Sequence, residues 1–426
     1  MSKSTRIALA SVIALSFASG GLAAAAPKPA KPAAEAPAKW PGLPPGAVEE
    51  FATMRDGTKL AGNVFKPAGN GPWPVVMTRT PYLKDGRIDK EHDPDGSKMR
   101  AALVKQAKHY TDAGYVFVLQ DTRGKGRSQG FYAAFENDVE DGYDSVEWAA
   151  RQPWSNGKVG LTGGSAMGIT SNEAAMAAPP HLVAAYVVVA PYDLAKNSYI
   201  NGVLKEKDTL GWMKGQGVSD EVLDQQRRRV TDDIFWNRNA MSVNRKYIDI
   251  PIYNVGGWYD IFDHGNISNF EYLQNHGAKG ARGNQKLLMG PFGHGNLSGD
   301  LEYPGFDRLN LAGDQEIRWF DHWLKGIDNG IMAEPPVTYF MMAAAEKGHI
   351  SPKNRVLTTA NWPPANREVR FYLTAGKGLT LKPPGGDGEK LSYRYDPANP
   401  VPTVGGANLT FERGPMDQRA IPARQD

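Results

Sequence analysis

The sequence predicts an α/β fold, in which a mostly parallel β-sheet carries helices on both faces. Three observations favour it: short apolar runs rich in β-branched residues recur along the chain, helix-like stretches separate them, and 41% of the 426 residues are hydrophobic. Continuous apolar runs of this kind are typical of strands buried on both faces. Their alternation with helices is typical of an open α/β sheet with a full core.

The predicted elements follow one another from residue 46 onwards. The strands are Val75–Met77, Val116–Leu119, Val159–Leu161, Ala185–Val189, Ile252–Val255 and Lys286–Met289. The helices between them are Met99–Ala113, Gly142–Arg151, Gly168–Ala178 and Ile267–His276. The stretch 195–250 breaks the pattern, because it is charged and contains Trp212, Phe235 and Trp236 but no strand-like run. We interpret it as a helical cap that divides the α/β domain into residues 46–194 and 251–335.

The pattern of apolar runs and loops changes again near residue 336. A helix is predicted over Glu316–Lys325, and then Val337–Met341 and Glu368–Leu373 read as antiparallel strands between loops rich in Pro and Gly. Residues 336–426 are therefore predicted to begin a C-terminal β domain.

The first residues have the pattern of a secretory signal peptide. Lys3 and Arg6 precede the apolar run Ile7–Phe17, and the small residues of Leu22–Ala26 suit a signal peptidase. We expect residues 1–26 to be the signal, with a retained membrane anchor as the alternative, and residues 27–45 to be a solvated Ala/Pro/Lys linker. The mature protein is thus expected to be secreted or periplasmic, and the sequence predicts no membrane span after signal removal.

Composition excludes several function classes. The net charge is +3 with scattered basic residues, which does not favour a nucleic-acid partner. The chain has no cysteine, which excludes a Cys nucleophile and thiolate metal sites. No His/carboxylate cluster has ligand spacing, so we expect neither a metal nor another cofactor. The oligomeric state cannot be derived from the sequence.

The strongest chemical motif is Gly163-Gly164-Ser165-Ala166-Met167-Gly168, which follows a strand and opens a helix. A nucleophile at a sharp strand-to-helix turn needs small neighbours and gains from the helix dipole, so Ser165 is the candidate nucleophile. The alternative is a serine that only caps the helix. The literal G-x-S-x-G pattern occurs elsewhere, around Ser128, but no helix follows it. We interpret that segment as a loop in which Asp121 and Arg123 form structural ion pairs.

An acid and a histidine follow Ser165 in the order that an α/β-hydrolase fold requires. Asp260 ends one predicted strand segment, and His294 ends the next. Asp263 and His264 are competitors, but they are predicted to lie in the following helix. The combination predicts a Ser165–His294–Asp260 triad. The backbone N–H of Ala166 is the expected oxyanion donor. Tyr82 is a second candidate, although a tyrosine packed in a proline turn explains it equally from sequence.

Several motifs together resemble the cocaine-esterase and X-Pro dipeptidyl-peptidase family of serine hydrolases, which includes α-amino-acid ester hydrolases and glutaryl-cephalosporin acylases. They are Arg79–Tyr82, Gln120–Gly124, Gln152–Gly160, Gly163–Gly168, Gly257–Asp260, Gly290–His294 and Phe320–Gly326. The resemblance runs from about Val48 to the last residue. It implies the α/β-hydrolase fold, the same triad, and Tyr82 as a side-chain oxyanion donor. We expect Trp258, Met167 and Phe262 to line the substrate pocket.

Two departures from the family pattern affect the functional prediction. Many relatives carry Tyr where this chain has Ala166, and relatives continue into a complete C-terminal jelly-roll domain, of which the chain is expected to contain only the first part. We therefore predict a secreted serine hydrolase acting on a small ester or amide or a short peptide. The alternative is a catalytically impaired homologue that acts as a binding protein. A peptidase would need a carboxylate near the pocket for the free amine, and Glu206, Asp208, Asp220 and Glu221 of the cap are candidates.

Overall fold

The computed structural model describes residues 42–87, 91, 93, 95–229, 234–295, 297, 299–301, 303, 314–343, 351–374, 376, 378–383, 385, 392 and 394–424, with the side chain of Phe235 excepted. The predicted signal segment and nearly all of the predicted linker lie outside these residues. None of the described helices has the length and apolar character needed to cross a bilayer.

The first half of the chain alternates strands and helices as predicted. Its strands are β1 (Val48–Thr53), β2 (Lys59–Phe65), β3 (Trp73–Thr80), β4 (Val116–Asp121), β5 (Ser155–Gly164) and β6 (Leu182–Val188). Its helices are α1 (Ser97–Asp112), α2 (Asp138–Ala150) and α3 (Ala166–Met176). The observed helices begin two to four residues before the predicted ones. The first turns of α1 and α2 are polar, whereas α3 begins with Ala166 and Met167 directly after Ser165. In α2 the first turn carries Asp138, Glu140 and Asp141, which suit the positive end of the helix dipole.

Residues 194–247 form the cap, which consists of short helices and one small hairpin that the sequence did not predict. Its elements are α4 (Leu194–Ser198), β7 (Tyr199–Ile200), β8 (Val203–Leu204), a π-helical turn (Lys207–Gly211), α5 (Trp212–Gly215), α6 (Asp220–Arg228), α7 (Ile234–Asn239), α8 (Met241–Asn244) and a 3₁₀ turn (Arg245–Tyr247). Leu210, Met213 and Leu223 of the cap are buried against Ala166 and Ile169 of α3. The cap therefore covers the start of α3.

The chain then returns to the sheet. The remaining elements are β9 (Ile252–Tyr259), α9 (Asp263–His276), β10 (Lys286–Gly293), α10 (Gln315–Lys325), β11 (Val337–Met341), β12 (Arg355–Thr359), β13 (Tyr372–Leu373) and β14 (Leu379–Thr380). Among the described residues the main sheet has ten strands in the order β1-β2-β4-β3-β5-β6-β9-β10-β11-β12. Strands β4 to β11 of this order are parallel, and the two edges are antiparallel.

Two hydrophobic clusters cover the two faces of this sheet. Val75 and Met77 face one cluster and Val76 the other, as the two-residue period of a strand requires. The second cluster includes Trp319 of α10, whose indole N–H donates to the carbonyl of Ala185 at 2.9 Å. Burial on both faces explains why the parallel strands read as continuous apolar runs.

The C-terminal region differs from its prediction. Val337–Met341 was expected to begin a separate β domain, but it pairs in parallel with β10 and extends the main sheet. Glu368–Leu373 was expected to be a strand, but only Tyr372–Leu373 is one, paired with β14. The alternation of apolar residues in Val337–Met341 fits either kind of sheet, so the pattern alone could not assign the partner.

Candidate active site

Ser165 is the single residue between the end of β5 and the start of α3. Its φ is 57° and its ψ is −126°, a strained conformation for a residue that is not glycine. The turn needs small neighbours: a Cβ added at Gly163 would lie 2.5 Å from the Cβ of Met167, and one at Gly168 would lie 2.7 Å from the Cβ of Ala190. The backbone thus presents Ser165 at the N-terminus of α3.

The structure brings Asp260 and His294 to Ser165. Nε2 of His294 lies 2.7 Å from Oγ of Ser165, and Nδ1 lies 2.7 Å from Oδ2 of Asp260. Asp260 directly follows β9 and His294 directly follows β10, so the parallel pairing of these neighbouring strands places both residues at one sheet edge. Asp260 is completely buried, and its Oδ1 accepts a hydrogen bond from the Phe262 N–H at 2.8 Å. The carboxylate is thus fixed while it holds the imidazole.

Tyr82 is the candidate side-chain oxyanion donor, and it faces the same serine. The pKa of Tyr82 is raised by burial, against the lowering effect of hydrogen bonds with Trp212 and Ser165. The indole N–H of Trp212 donates to the Tyr82 hydroxyl at 3.2 Å. Ala166 is the first residue of α3, so its N–H belongs to the free amides at the helix N-terminus. These two groups provide donors beside Ser165.

The loop that carries Tyr82 is fixed by Lys84, which is completely buried. Its Nζ donates to Oε1 of Glu49 at 2.8 Å and to Oδ2 of Asp85 at 2.7 Å. The Lys84 N–H donates to Oδ1 of Asp121 at 2.7 Å. Burial raises the pKa of Asp121 to about 7, although the hydrogen bond from Lys84 opposes the change. Asp121 therefore accepts a backbone hydrogen bond rather than forming the predicted ion pair, whereas Arg123 pairs with Asp56 and Asp141 as predicted.

A cavity of about 80 Å³, partly open to solvent, adjoins Ser165 and Ala166. It lies between α3, the cap and the C-terminal segment. Its wall is largely apolar and aromatic, with a few polar side chains. The other lining residues are Ala134, Phe135, Ile169, Leu194, Asn197, Ser198, Asp208, Thr209, Trp212, Met213, Gln226, Trp236, Ile261, Phe262 and Leu409.

Only one of the three predicted pocket residues lines this cavity. Phe262 does so, and its ring meets the His294 ring edge-on at 5.3 Å between centroids. Trp258 was expected there but lies elsewhere, since its indole N–H donates to the Phe340 carbonyl at 2.8 Å and its ring packs on Trp362. Met167 also does not line the cavity.

The four acidic candidates of the cap have different surroundings in the structure. Asp208 lines the cavity, and its carboxylate makes no hydrogen bond or ion pair within the described part of the chain. Glu206 pairs with Arg227 on the surface, Asp220 pairs with Lys214, and Glu221 is exposed. Of these four residues, Asp208 is therefore the one placed to contact a bound substrate.

The competing residues have structural surroundings. Ser128 is buried in a loop, where its hydroxyl donates to the Asp121 carbonyl at 2.7 Å and accepts from the Ala61 N–H at 2.9 Å. His264 lies in α9 and contacts the Tyr192 ring. No group of three or more His, Cys, Asp or Glu side chains arranged to hold a metal occurs among the residues that the structure covers.

Comparison with known proteins gives consistent matches. The model of the X-Pro dipeptidyl-peptidase (S15) family matches residues 56–232 and 215–296, which together make up more than half of the chain. A cocaine esterase from Rhodococcus sp. (strain MB1 Bresler) is 27% identical over 441 aligned residues, which cover 88% of this chain and 72% of that protein.

Solved structures share the fold. A CocE/NonD family hydrolase from Staphylococcus aureus aligns with a TM-score of 0.60 at 23% identity, over 78% of this chain and 59% of that one. An α-amino acid ester hydrolase aligns with a TM-score of 0.58 at 24% identity, over 84% of this chain and 66% of that one. The chain thus spans less than two thirds of the length of both solved relatives. The fold and the family match agree, and the chain belongs to the X-Pro dipeptidyl-peptidase (S15) family of serine hydrolases.

Proposed function

We propose that the protein hydrolyses an ester or amide through an acyl-enzyme formed on Ser165. The observation that carries the proposal is the unbroken contact from Ser165 Oγ through the His294 ring to Asp260, with 2.7 Å at each step. In the reaction His294 takes the hydroxyl proton as Oγ attacks the carbonyl carbon, and then gives that proton to the leaving group. Water, activated by the same imidazole, afterwards releases the acid and regenerates Ser165.

The oxyanion of each tetrahedral intermediate is stabilised by the Ala166 N–H and the Tyr82 hydroxyl. Fixed donors of this kind need no reorganisation as charge develops, so they lower the barrier more than solvent does. Asp260 keeps Nδ1 protonated and stabilises the imidazolium. The family membership and this arrangement favour an enzyme over the impaired, purely binding homologue considered from the sequence.

The cavity indicates an apolar, preferably aromatic, group on the substrate. Phe135, Trp212, Trp236 and Phe262 supply flat surfaces beside Ser165, and burying aromatic area contributes strongly to binding. We propose a small aryl or arylacyl ester as the substrate class that fits best.

Asp208 favours a second candidate, a substrate that also carries a free amine, such as an aminoacyl ester or the N-terminus of a short peptide. A half-buried carboxylate that makes no hydrogen bond or ion pair with the described residues is suited to an ammonium group. Asp208→Asn should raise KM for an aminoacyl arylamide about tenfold and leave KM for an uncharged aryl ester unchanged. Equal changes for both substrates would exclude this role.

We further propose that the protein is exported. The proposal rests on the signal-like pattern of residues 1–26. N-terminal sequencing of the protein recovered from the periplasm or medium should find a start near residue 27. Recovery only in the cytoplasm with Met1 intact would refute export.

Labelling with a fluorophosphonate probe tests the catalytic assignment. The wild-type chain should be labelled stoichiometrically on Ser165, and Ser165→Ala should not be labelled. Ser128→Ala is the matched control, because Ser128 occupies the literal G-x-S-x-G pattern but hydrogen-bonds into a loop. Labelling that persists in Ser165→Ala would overturn the proposal.

A further inference from the structure

Trp212 of the cap contacts the candidate oxyanion donor directly. Its indole Nε1–H donates to the Tyr82 hydroxyl at 3.2 Å, and the two rings meet edge-on with an interplanar angle of 83°. The triad itself does not require this contact. A cap residue is thus joined to a group on the β3–α1 loop that faces Ser165.

The direction of this hydrogen bond has a chemical consequence. An indole N–H can only donate, whereas a phenol hydroxyl has one proton and two acceptor lone pairs. Because Trp212 occupies a lone pair of Tyr82, the phenol proton remains directed elsewhere, and Ser165 lies close enough to the hydroxyl to influence the pKa of Tyr82. Donation from Trp212 also draws electron density from the hydroxyl, which strengthens it as a donor.

The indole itself is held in place. Its ring stacks on Phe135 with centroids 5.6 Å apart and planes within 3°. Trp212 directly follows the π-helical turn Lys207–Gly211, a rare local structure that occurs frequently at functional sites. Phe135 belongs to the sheet domain, so the stack fixes the position of the cap helix that carries Trp212.

A second tryptophan of the same cavity, Trp236, has a different hydrogen-bond partner. Trp236 also lines the wall, but its N–H donates to the Arg229 carbonyl at 3.2 Å, within the cap. Both tryptophans offer aromatic surface to a substrate. Of these two, Trp212 is the one whose N–H bonds to Tyr82.

We propose that Trp212 is a positioning residue, which orients the Tyr82 hydroxyl toward the oxyanion and thereby makes catalysis depend on the placement of the cap. The inference rests on the proposed role of Tyr82. The energy that Trp212 contributes to the transition state is transmitted through one hydroxyl oxygen. Its effect on kcat must therefore disappear when that oxygen is absent.

A double-mutant cycle tests the inference, with kcat and KM measured for one aryl ester. Trp212→Phe keeps a ring against Phe135 and removes the donor, so kcat should fall about fivefold. In the Tyr82→Phe background, Trp212→Phe should leave kcat unchanged, whatever it does to KM. The same fivefold loss in both backgrounds would overturn the inference. If Tyr82→Phe alone leaves kcat unaltered, the proposed role of Tyr82 fails instead, so the two failures are distinguishable.

Trp236→Phe is the matched control for the loss of an indole from the cavity wall. We expect it to change KM, and any effect on kcat should be the same with Tyr82 or with Tyr82→Phe. Coupling as strong as that of Trp212 would mean that cavity shape, and not the hydrogen bond, is responsible. Trp212→Leu, which also lacks the donor, runs the same cycle if Trp212→Phe does not fold.

Discussion

The sheet edge that carries Ser165, Asp260 and His294 and the cavity wall above it are built in different ways. The triad residues follow β5, β9 and β10, which are parallel strands of one sheet, with β6 between β5 and β9. The wall combines short cap helices with Leu409, far away in the chain. The strands of the sheet therefore position the triad side chains, and the short cap helices and the C-terminal segment form the wall that contacts the substrate. Mutations in the first region should change kcat. Mutations in the second should change KM, except at Trp212, which is proposed to act on kcat through Tyr82.

The largest effect is expected at the sheet edge. His294→Ala removes the base that contacts Ser165, so kcat should fall by about four to six orders of magnitude while KM stays within about threefold. Steady-state kinetics with an activated aryl ester measures both. His264→Ala, in the neighbouring helix, is the control. A loss below about tenfold in His294→Ala would break the assignment of the imidazole.

The second largest fall in kcat is expected for the replacement of Tyr82. Tyr82→Phe removes one oxyanion donor and keeps the ring, so kcat should fall about 100- to 1000-fold with little change in KM. The Ala166 N–H remains, which explains the residual activity. Unchanged kcat would leave the backbone amide as sole donor and would remove Tyr82 from the catalytic edge.

The cavity wall should give smaller effects of the other kind. Leu409→Ala removes apolar surface from the wall, so KM for an aryl ester should rise about tenfold at constant kcat. Leu373→Ala is the matched control, since this leucine of the C-terminal region is 75% exposed and does not line the cavity. A fall in kcat without a change in KM would contradict the division between the two regions.

The contrast between the sheet edge and the cavity wall also explains what the sequence could predict. Ser165, Asp260 and His294 were predicted because each follows an apolar run, and parallel strands bring their ends together. The antiparallel hairpin β1–β2 was missed, because β1 is an edge strand whose residues are mostly exposed or half-buried and carry no continuous apolar run. The starts of α1 and α2 were predicted too late because their polar first turns do not belong to the apolar period.

The cavity wall could not be predicted in the same way. Phe135, Trp212 and Leu409 come from a loop, the cap and the C-terminal segment, and no spacing in the chain relates them. Trp212 was noticed only as an aromatic residue in a charged stretch, and aromatic residues in such stretches are more often packing residues. Its hydrogen bond to Tyr82 depends on the three-dimensional placement of the cap. Tyr82 itself was assigned through family resemblance, which supplied what the local pattern left open.

The last effect concerns stability instead of turnover, and it distinguishes a buried carboxyl of the sheet edge from the exposed charges of the cap. Burial raises the pKa of Asp121 to about 7, whereas an unfolded aspartate titrates near 4. The folded state binds the proton more tightly, so this contribution to stability is present below about pH 4 and is lost as the pH rises through 7.

Asp121→Asn should therefore flatten the decline in unfolding free energy between pH 4 and pH 8, by an amount on the order of 2–4 kcal/mol. The amide oxygen can still accept the hydrogen bond from the Lys84 N–H, so the Tyr82 loop and kcat at neutral pH should be kept. Urea unfolding of wild type and variant across this range isolates the contribution of Asp121 from those of other carboxylates. Asp220→Asn, in the exposed part of the cap, should give a curve parallel to that of the wild type. A parallel curve for Asp121→Asn as well would show that the buried carboxyl titrates no differently in the folded and unfolded chains.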